Sequence, residues 1–191
     1  MSFVPTPSQT VGPFFHFCLT TKDCSVSQIA GPQVKGERVS LVCRVSDGDG
    51  AAVNDAIIEI WQADAAGKYN HPDDPQPKAV DPLFLGFGRM PTSPEGSCEF
   101  ETIRPGRVPG AGAHLQAPHL NVAVFARGML KQLYTRIYFA GDPANEEDSA
   151  LALVPVLRRG TLLAQPESAR PGAWRFDIRL QGEQETVFFD V

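Results

Sequence analysis

Short runs of alternating apolar and polar residues, separated by turns rich in glycine and proline, recur along most of this sequence. Residues 38–47 alternate in this way and lead into the turn sequence DGDG (47–50), and residues 56–64 repeat the alternation. A period of two places successive side chains on opposite faces of a strand, so each run can bury one face. Many short strands of this kind are typical of an all-β sandwich or barrel, and we expect a β-sandwich. The other predicted strands are residues 97–105, 119–127, 132–140, 174–182 and 185–191.

One stretch departs from the strand pattern. Residues 145–165 begin with acidic residues and continue with leucine and alanine, which predicts helix in pieces divided at Pro155 and Gly160. Residues 71–96 and 106–118 are rich in proline or glycine and are predicted to be long irregular loops, which often carry function. No internal repeat divides the chain. We therefore expect a single domain over residues 1–191, with residues 1–37 as an N-terminal arm and loop.

The amino-acid composition limits which kinds of binding partner and which cellular compartment we expect. A net charge of -5 without a block of Lys or Arg argues against nucleic acid or an anionic membrane as the main partner. The 4 cysteines are widely spaced and form no C-x-x-C, which indicates reduced thiols in a cytoplasmic protein. The N-terminus lacks the pattern of a signal peptide, and no apolar run has the length of a membrane span.

The strand predicted over residues 119–127 carries a polar pair. His119 and Asn121 lie two residues apart, so their side chains point to the same face. A second histidine at position 121 would complete a pair of metal ligands. With asparagine there, the residues alone leave three interpretations open: a metal site, half of one, or a strand with one buried histidine.

Four segments, taken in order, resemble the intradiol ring-cleaving dioxygenases. The resemblance implies that family's β-sandwich with long loops and short helical segments. It also implies cleavage of 3,4-dihydroxybenzoate with O₂ to 3-carboxy-cis,cis-muconate, in the β-ketoadipate pathway of aromatic hydrocarbon catabolism. Each segment is a weak signal alone, whereas the ordered set is specific. The segments are TPSQTVGPFF (6–15), EIWQADAAGKYNH (59–71), APHLNVAVFARG (117–128) and RFDIRLQGEQETVFFDV (175–191).

The resemblance can be carried to the metal ligands position by position. Catalytic chains of the family hold Fe(III) with two tyrosines and two histidines, since phenolate oxygen and imidazole suit this hard ion. Tyr69 and His119 match two of these ligands, but Val108 and Asn121 stand at the other two, and Gln116 replaces an arginine. These four positions are therefore vestigial. The resemblance implies that this chain binds no metal and is not catalytic alone, and that a homologous catalytic β chain holds the Fe(III).

The resemblance further implies what such a chain contributes. Two-chain members of the family form αβ units that assemble into a larger hetero-oligomer, and the α chain lines part of the substrate pocket. Thr10, Gly12 and Pro13 match the pocket-lining segment, and Arg127 matches the arginine near the substrate carboxylate. The segment could instead be an arm that covers a sheet edge, and Arg127 a surface ion-pair residue. Arg136 is the second candidate arginine and is expected to be structural or interfacial.

Plainer roles and rival functions stay open at this point. Tyr69 could be an aromatic residue flanking a turn, and His119 a hydrogen-bonded core histidine. The rival functions are an autonomous intradiol dioxygenase with an atypical iron site, and a purely structural β-sandwich interaction module. An atypical site would need replacement ligands, for which the available histidines are His16, His71 and His114, none at a family ligand position.

Overall fold

The computed structural model describes residues 17–110 and 114–190, and strands dominate this part of the chain. In chain order the strands are β1 (Arg38–Ser46), β2 (Ile57–Gln62), β3 (Phe87–Pro91), β4 (Ser97–Ile103), β5 (His119–Phe125), β6 (Leu133–Phe139), β7 (Leu163–Pro166) and β8 (Ala173–Arg179). They form one hydrogen-bonded sheet in the order β3-β2-β5-β6-β7-β8-β1-β4. Two short α-helices, α1 (Ser149–Ala152) and α2 (Val156–Arg159), and two 3₁₀ helices, Pro143–Glu147 and Gly160–Leu162, lie between β6 and β7.

The sheet folds over on itself around one core. Alternate residues of β1 are buried, as are Ile58 and Ile60 of β2 and Leu120 and Val122 of β5. These side chains pack with Phe100 and Phe176 in one apolar cluster, so the β3-β2-β5-β6 half faces the β8-β1-β4 half. The prediction of an all-β sandwich is confirmed.

The segment before β1 covers the two outer strands of the sheet. Val26 exchanges backbone hydrogen bonds with Arg89 of β3, at 2.7 and 3.0 Å. Ser27 and Ile29 bond in the same way to Glu101 of β4, both at 2.9 Å. Because these bonds satisfy the backbone groups of both edges, the sandwich is nearly closed.

Two predicted element types differ from the structure near the C-terminus. Residues 163–165, predicted as helix, belong to β7, since the helical part stops at Leu162. Residues 185–190, predicted as strand, make only one isolated bridge, between Tyr134 and Phe189. Side-chain bonds replace a ladder here: the Thr135 hydroxyl donates to the Val187 carbonyl at 2.7 Å. The Thr186 hydroxyl oxygen, in turn, accepts a hydrogen bond from the backbone N–H of Arg179 at 2.9 Å.

The loop predicted over residues 71–96 contains β3. Gly88, in the middle of this strand, lies so close to Ile29 that a Cβ atom would stand 2.7 Å from the Ile29 Cγ1. A glycine that makes room for a neighbouring segment interrupts the apolar alternation, which explains why the strand is hidden in the sequence. Of the helices in the described ranges, none is long and apolar enough to cross a membrane.

Candidate functional site

The vestigial ligand positions meet on the outer face of β5, the face turned away from the core. Asn121 lies opposite Trp61 of β2 on one side and opposite Arg136 of β6 on the other. His119 lies opposite Tyr138 in the same register. The predicted pairing of His119 and Asn121 on one face is confirmed.

A tight turn after β2 brings Tyr69 to this face. The Asp64 carboxylate accepts hydrogen bonds from the N–H groups of Ala66 and Lys68, both at 2.9 Å. The Asp64 carbonyl accepts from Gly106 at 2.8 Å, which ties the turn to the segment that carries Val108. Gly67 has φ +75° in this turn, and a Cβ there would overlap the Arg107 carbonyl oxygen. Glycine at position 67 therefore allows the two segments to touch.

Tyr69 is held as a neutral phenol. Its ring stacks on Trp61, with centroids 6.0 Å apart. Its hydroxyl oxygen accepts a hydrogen bond from the Asn121 amide nitrogen at 3.1 Å. Burial raises the pKa of Tyr69, although the bond from Asn121 and the charge of Arg136 oppose this shift. The side chain that matches an anionic ligand of the family therefore keeps its proton at neutral pH.

His119 is a buried, neutral imidazole. It is 3% exposed, and its Nδ1 donates to the Ala117 carbonyl at 2.8 Å. Burial, reinforced by the charge of Arg136, lowers the pKa of His119 to about 4. The bond at Nδ1 leaves the Nε2 lone pair unprotonated, the tautomer that metal-binding histidines adopt. His119 thus has the tautomer of a metal ligand, but the other residues that a metal site needs are missing.

The other two positions do not fit a ferric ion. Val108 is 3% exposed and offers only hydrocarbon. The Asn121 amide nitrogen is engaged with Tyr69 and, at 3.4 Å, with the Trp61 carbonyl. Within residues 17–110 and 114–190, no group of three or more His, Cys, Asp and Glu side chains could hold a metal ion. Two protein donors cannot enclose Fe(III), so these residues do not form an iron site.

A polar network beside the vestigial positions was not foreseen from the sequence. The Arg136 Nη1 donates to the Gln116 Oε1 at 2.7 Å and lies 3.4 Å from the Tyr138 hydroxyl. Burial raises the pKa of Tyr138 to about 12. Its hydroxyl donates to the Asp148 carboxylate at 3.1 Å, and Asp148 also accepts from the Ala117 N–H at 2.7 Å. The register that places Arg136 opposite Asn121 would have revealed this contact, but the sequence does not display it.

The predicted substrate-binding residues lie apart from this face or outside the described ranges. Thr10, Gly12 and Pro13 lie outside the described residues. Arg127 lies in the turn after the far end of β5, a strand that spans about 20 Å from His119 to Phe125 at the usual rise. Its side chain is 77% exposed and forms an ion pair with Asp55. The structure therefore does not bring Arg127 to Tyr69 and His119 within one chain.

The other histidines are similarly dispersed. The His71 side chain is 53% exposed and meets Trp61 edge-on, with centroids 6.2 Å apart. His114 is exposed on the segment between β4 and β5, and His16 falls outside the described residues.

Known proteins with similar sequences are dioxygenases, as the resemblance of the ligand positions implies. A family model with the description Dioxygenase matches residues 11–182. The chain is 43% identical to the protocatechuate 3,4-dioxygenase alpha chain of Burkholderia cepacia, over 97% of both chains. It is 33% identical to the beta chain from the same organism, over 94% of this chain and 77% of the relative.

A solved structure supports the same assignment. The dioxygenase domain of a dioxygenase and carbohydrate-binding protein fusion from Streptomyces sp. SirexAA-E superimposes with a TM-score of 0.64 and 27% identity. The superposition covers 94% of this chain and 100% of that domain. From the sequence match, the near full-length relatives and the shared fold, it follows that the chain belongs to the intradiol ring-cleavage dioxygenase family.

Proposed function

We propose that this chain is the non-catalytic α subunit of a protocatechuate 3,4-dioxygenase. The assembled enzyme cleaves 3,4-dihydroxybenzoate between its two hydroxylated carbons and adds both atoms of O₂, which yields 3-carboxy-cis,cis-muconate. One observation carries the proposal. In a chain 43% identical to an alpha chain, two of the family's four ligand positions hold Val108, which has no donor atom, and Asn121, whose neutral amide is a poor ligand for Fe(III).

A homologous β chain supplies the Fe(III) in this proposal. Similarity to both an alpha and a beta chain supports an assembly of two related chains. This chain contributes the assembly interface and part of the substrate pocket, in αβ units that form a larger oligomer. The hydrogen bond between Asn121 and Tyr69 satisfies polar groups that a metal would otherwise engage, so the chain can fold without one.

Arg127, together with Thr10, Gly12 and Pro13, is proposed to contact the substrate in that pocket. The Arg127 guanidinium is on the surface, where a neighbouring chain can reach it, and its surface partner is Asp55. Two parallel N–H donors match a carboxylate, which suits an aromatic acid. The exposed ion pair with Asp55 is weak enough to be exchanged for a substrate contact.

The setting of the reaction is proposed on the sequence and on the names of the relatives. Widely spaced cysteines without a C-x-x-C favour the cytoplasm, where thiols stay reduced. Cleavage of an aromatic acid places the enzyme in aromatic catabolism, through the β-ketoadipate pathway.

Co-expression with a catalytic β chain tests the proposal. The readouts are co-purification and oxygen uptake with 3,4-dihydroxybenzoate. We expect a stable complex with ring-cleaving activity and no activity from this chain alone. Activity of the isolated chain would instead establish an autonomous dioxygenase. Failure to join a β chain would point to an interaction module with other partners.

A further inference from the structure

The helical segment between β6 and β7 carries the three most exposed large apolar side chains of the described residues. Leu153, directly after α1, is 86% exposed, and Val156 and Leu157 of α2 are 74% and 96% exposed. Single exposed apolar residues are ordinary on a protein surface, whereas a cluster of them marks an interaction site. We call this surface the helical patch; it consists of Ala152, Leu153, Pro155, Val156 and Leu157.

The helical patch is held in place by the residues beneath and beside it. Val154 is buried and packs with Leu162 in an apolar cluster under the helices. Arg159 donates from its Nε to the Val154 carbonyl at 2.9 Å and from its Nη2 to the Ala152 carbonyl at 3.1 Å. These bonds fix the backbone on both sides of Leu153. The patch therefore points outward in the folded chain, and its backbone loses little freedom when a partner covers it.

The two ends of the helical patch carry opposite charges. Glu146 and Glu147 precede the patch and are exposed, and Glu147 pairs with Arg107 at 3.0 Å. Arg158 and Arg159 follow the patch in the last turn of α2 and bond to backbone carbonyls. Within residues 17–110 and 114–190, Glu146, Arg158 and Arg159 take part in no ion pair. The patch is thus acidic at its start and basic at its end.

A second copy of this chain offers the complementary surface. In a two-fold contact the same patch lies on both sides, and the two helical segments run antiparallel. The apolar side chains of the two copies then meet at the centre, and the acidic end of each copy lies against the basic end of the other. The net charge of -5 makes two copies repel overall, so local matching of charge decides which faces meet.

We propose that the helical patch binds the helical patch of a second copy of this chain and so joins two αβ units. Leu153, Val156 and Leu157 form the apolar centre of the contact, and Glu146 of each copy faces Arg158 of the other. The inference rests on the proposed function for the αβ units and adds the surface through which they assemble.

Sedimentation velocity of the co-expressed αβ complex tests the proposal. Leu157→Asp places a carboxylate in the apolar centre, and the fold should tolerate it because Leu157 is 96% exposed. We expect the mass of the assembly to fall by a factor of about two or more, since a two-fold contact is lost. Oxygen uptake per αβ unit should stay unchanged. Leu83→Asp, which alters a leucine that is 52% exposed and lies outside the patch, is the control and should leave the mass unchanged.

Charge reversal identifies the occupant of the patch. Arg158→Glu and Glu146→Arg should each weaken the assembly, and the double variant should restore it, because each reversed residue then meets the other in the second copy. Failure of the double variant to restore assembly would overturn the proposal, since the patch would then bind a different surface. Release of the β chain by Leu157→Asp would also overturn it, because the patch would belong to the contact within one αβ unit.

Two further results would overturn the proposal: an unchanged mass in Leu157→Asp, and a wild-type complex that stays a single αβ unit. Lack of oxygen uptake by a wild-type assembly would instead contradict the proposed function and leave the contact standing. If no β chain joins, the same variants are compared in the full-length chain alone. There we expect a wild-type dimer and a Leu157→Asp monomer, and a wild-type monomer would overturn the proposal.

Discussion

Arg127 is the charged residue among those proposed to contact the substrate. If its guanidinium binds the carboxylate of 3,4-dihydroxybenzoate, Arg127→Gln removes a charged, two-pronged contact. We expect kcat/KM of the assembled enzyme to fall by the equivalent of about 2–4 kcal/mol, mainly through KM. Steady-state oxygen uptake measures this change.

The matched control is Arg175→Gln, since Arg175 also forms a partly exposed ion pair, with Asp177. It should change neither kcat nor KM. Unaltered kinetics in Arg127→Gln would instead support a purely structural role for this chain.

His119 makes a second prediction, for stability against pH. Its folded pKa of about 4 lies below the ordinary 6.5, so the unfolded chain binds the extra proton first as pH falls. The stabilisation is complete above pH 6.5 and is lost as the pH falls towards 4. Wild type should therefore lose about 2–3 kcal/mol more than His119→Gln between pH 7.5 and 4.5. Urea unfolding at both pH values measures the difference.

His71→Gln provides the control for that experiment, because the His71 side chain is 53% exposed. It should follow the wild-type dependence on pH. Parallel curves for wild type and His119→Gln would show that the imidazole of His119 is not buried in its neutral form.

At the scale of the elements, the turn of residues 64–68 joins two halves of the vestigial site. Gly67→Ala would force a Cβ into the Arg107 carbonyl at a positive φ, so the turn and the Val108 segment must separate. We expect a loss of more than about 3 kcal/mol in the free energy of unfolding. Gly50 also has a positive φ, +85°, but no atom lies within 4 Å of the position that a Cβ would take. Gly50→Ala should therefore lower the free energy of unfolding by only about 1–2 kcal/mol. Equal costs in denaturant titrations would contradict the close approach of the two segments.

The strands also show how much of the fold can be predicted from the sequence. Alternation predicted β1, β2, β4, β5, β6 and β8, because each of these strands buries one face. Alternation did not predict β3, in which Gly88 leaves room for the Ile29 side chain. It also did not predict β7, which follows directly after a run of short helices. Such strands are defined by their neighbours in space and carry little signal in their own residues.

The candidate site, like the fold, could be predicted only in part from the sequence. The resemblance to the family identified Tyr69, Val108, His119 and Asn121, and the structure brings Tyr69 to Asn121 at 3.1 Å. The contact of Arg136 with Gln116 depends on the register of β5 and β6, and a slip of one residue would turn Arg136 to the other face. A register set by tertiary packing cannot be taken from one sequence.

At the scale of the whole molecule, the four vestigial positions are built into the packing and hydrogen bonding of the described residues. Val108 is buried, Asn121 bonds to Tyr69, and His119 bonds to the Ala117 carbonyl, so each vestigial position has contacts within this chain. The proposed function therefore assigns ring cleavage to a partner chain that keeps all four ligands. It thus divides the work between an α chain without iron and a β chain that holds it.

Iron content, measured by elemental analysis, tests this division between the two chains. The measurement is made on this chain alone and on its complex with the β chain, each after expression in iron-supplemented medium. We expect no stoichiometric iron on the isolated chain and one iron per αβ pair, with the colour of tyrosinate bound to Fe(III). Two irons per pair, or one on the isolated chain, would contradict it, because this chain would then have an iron site of its own.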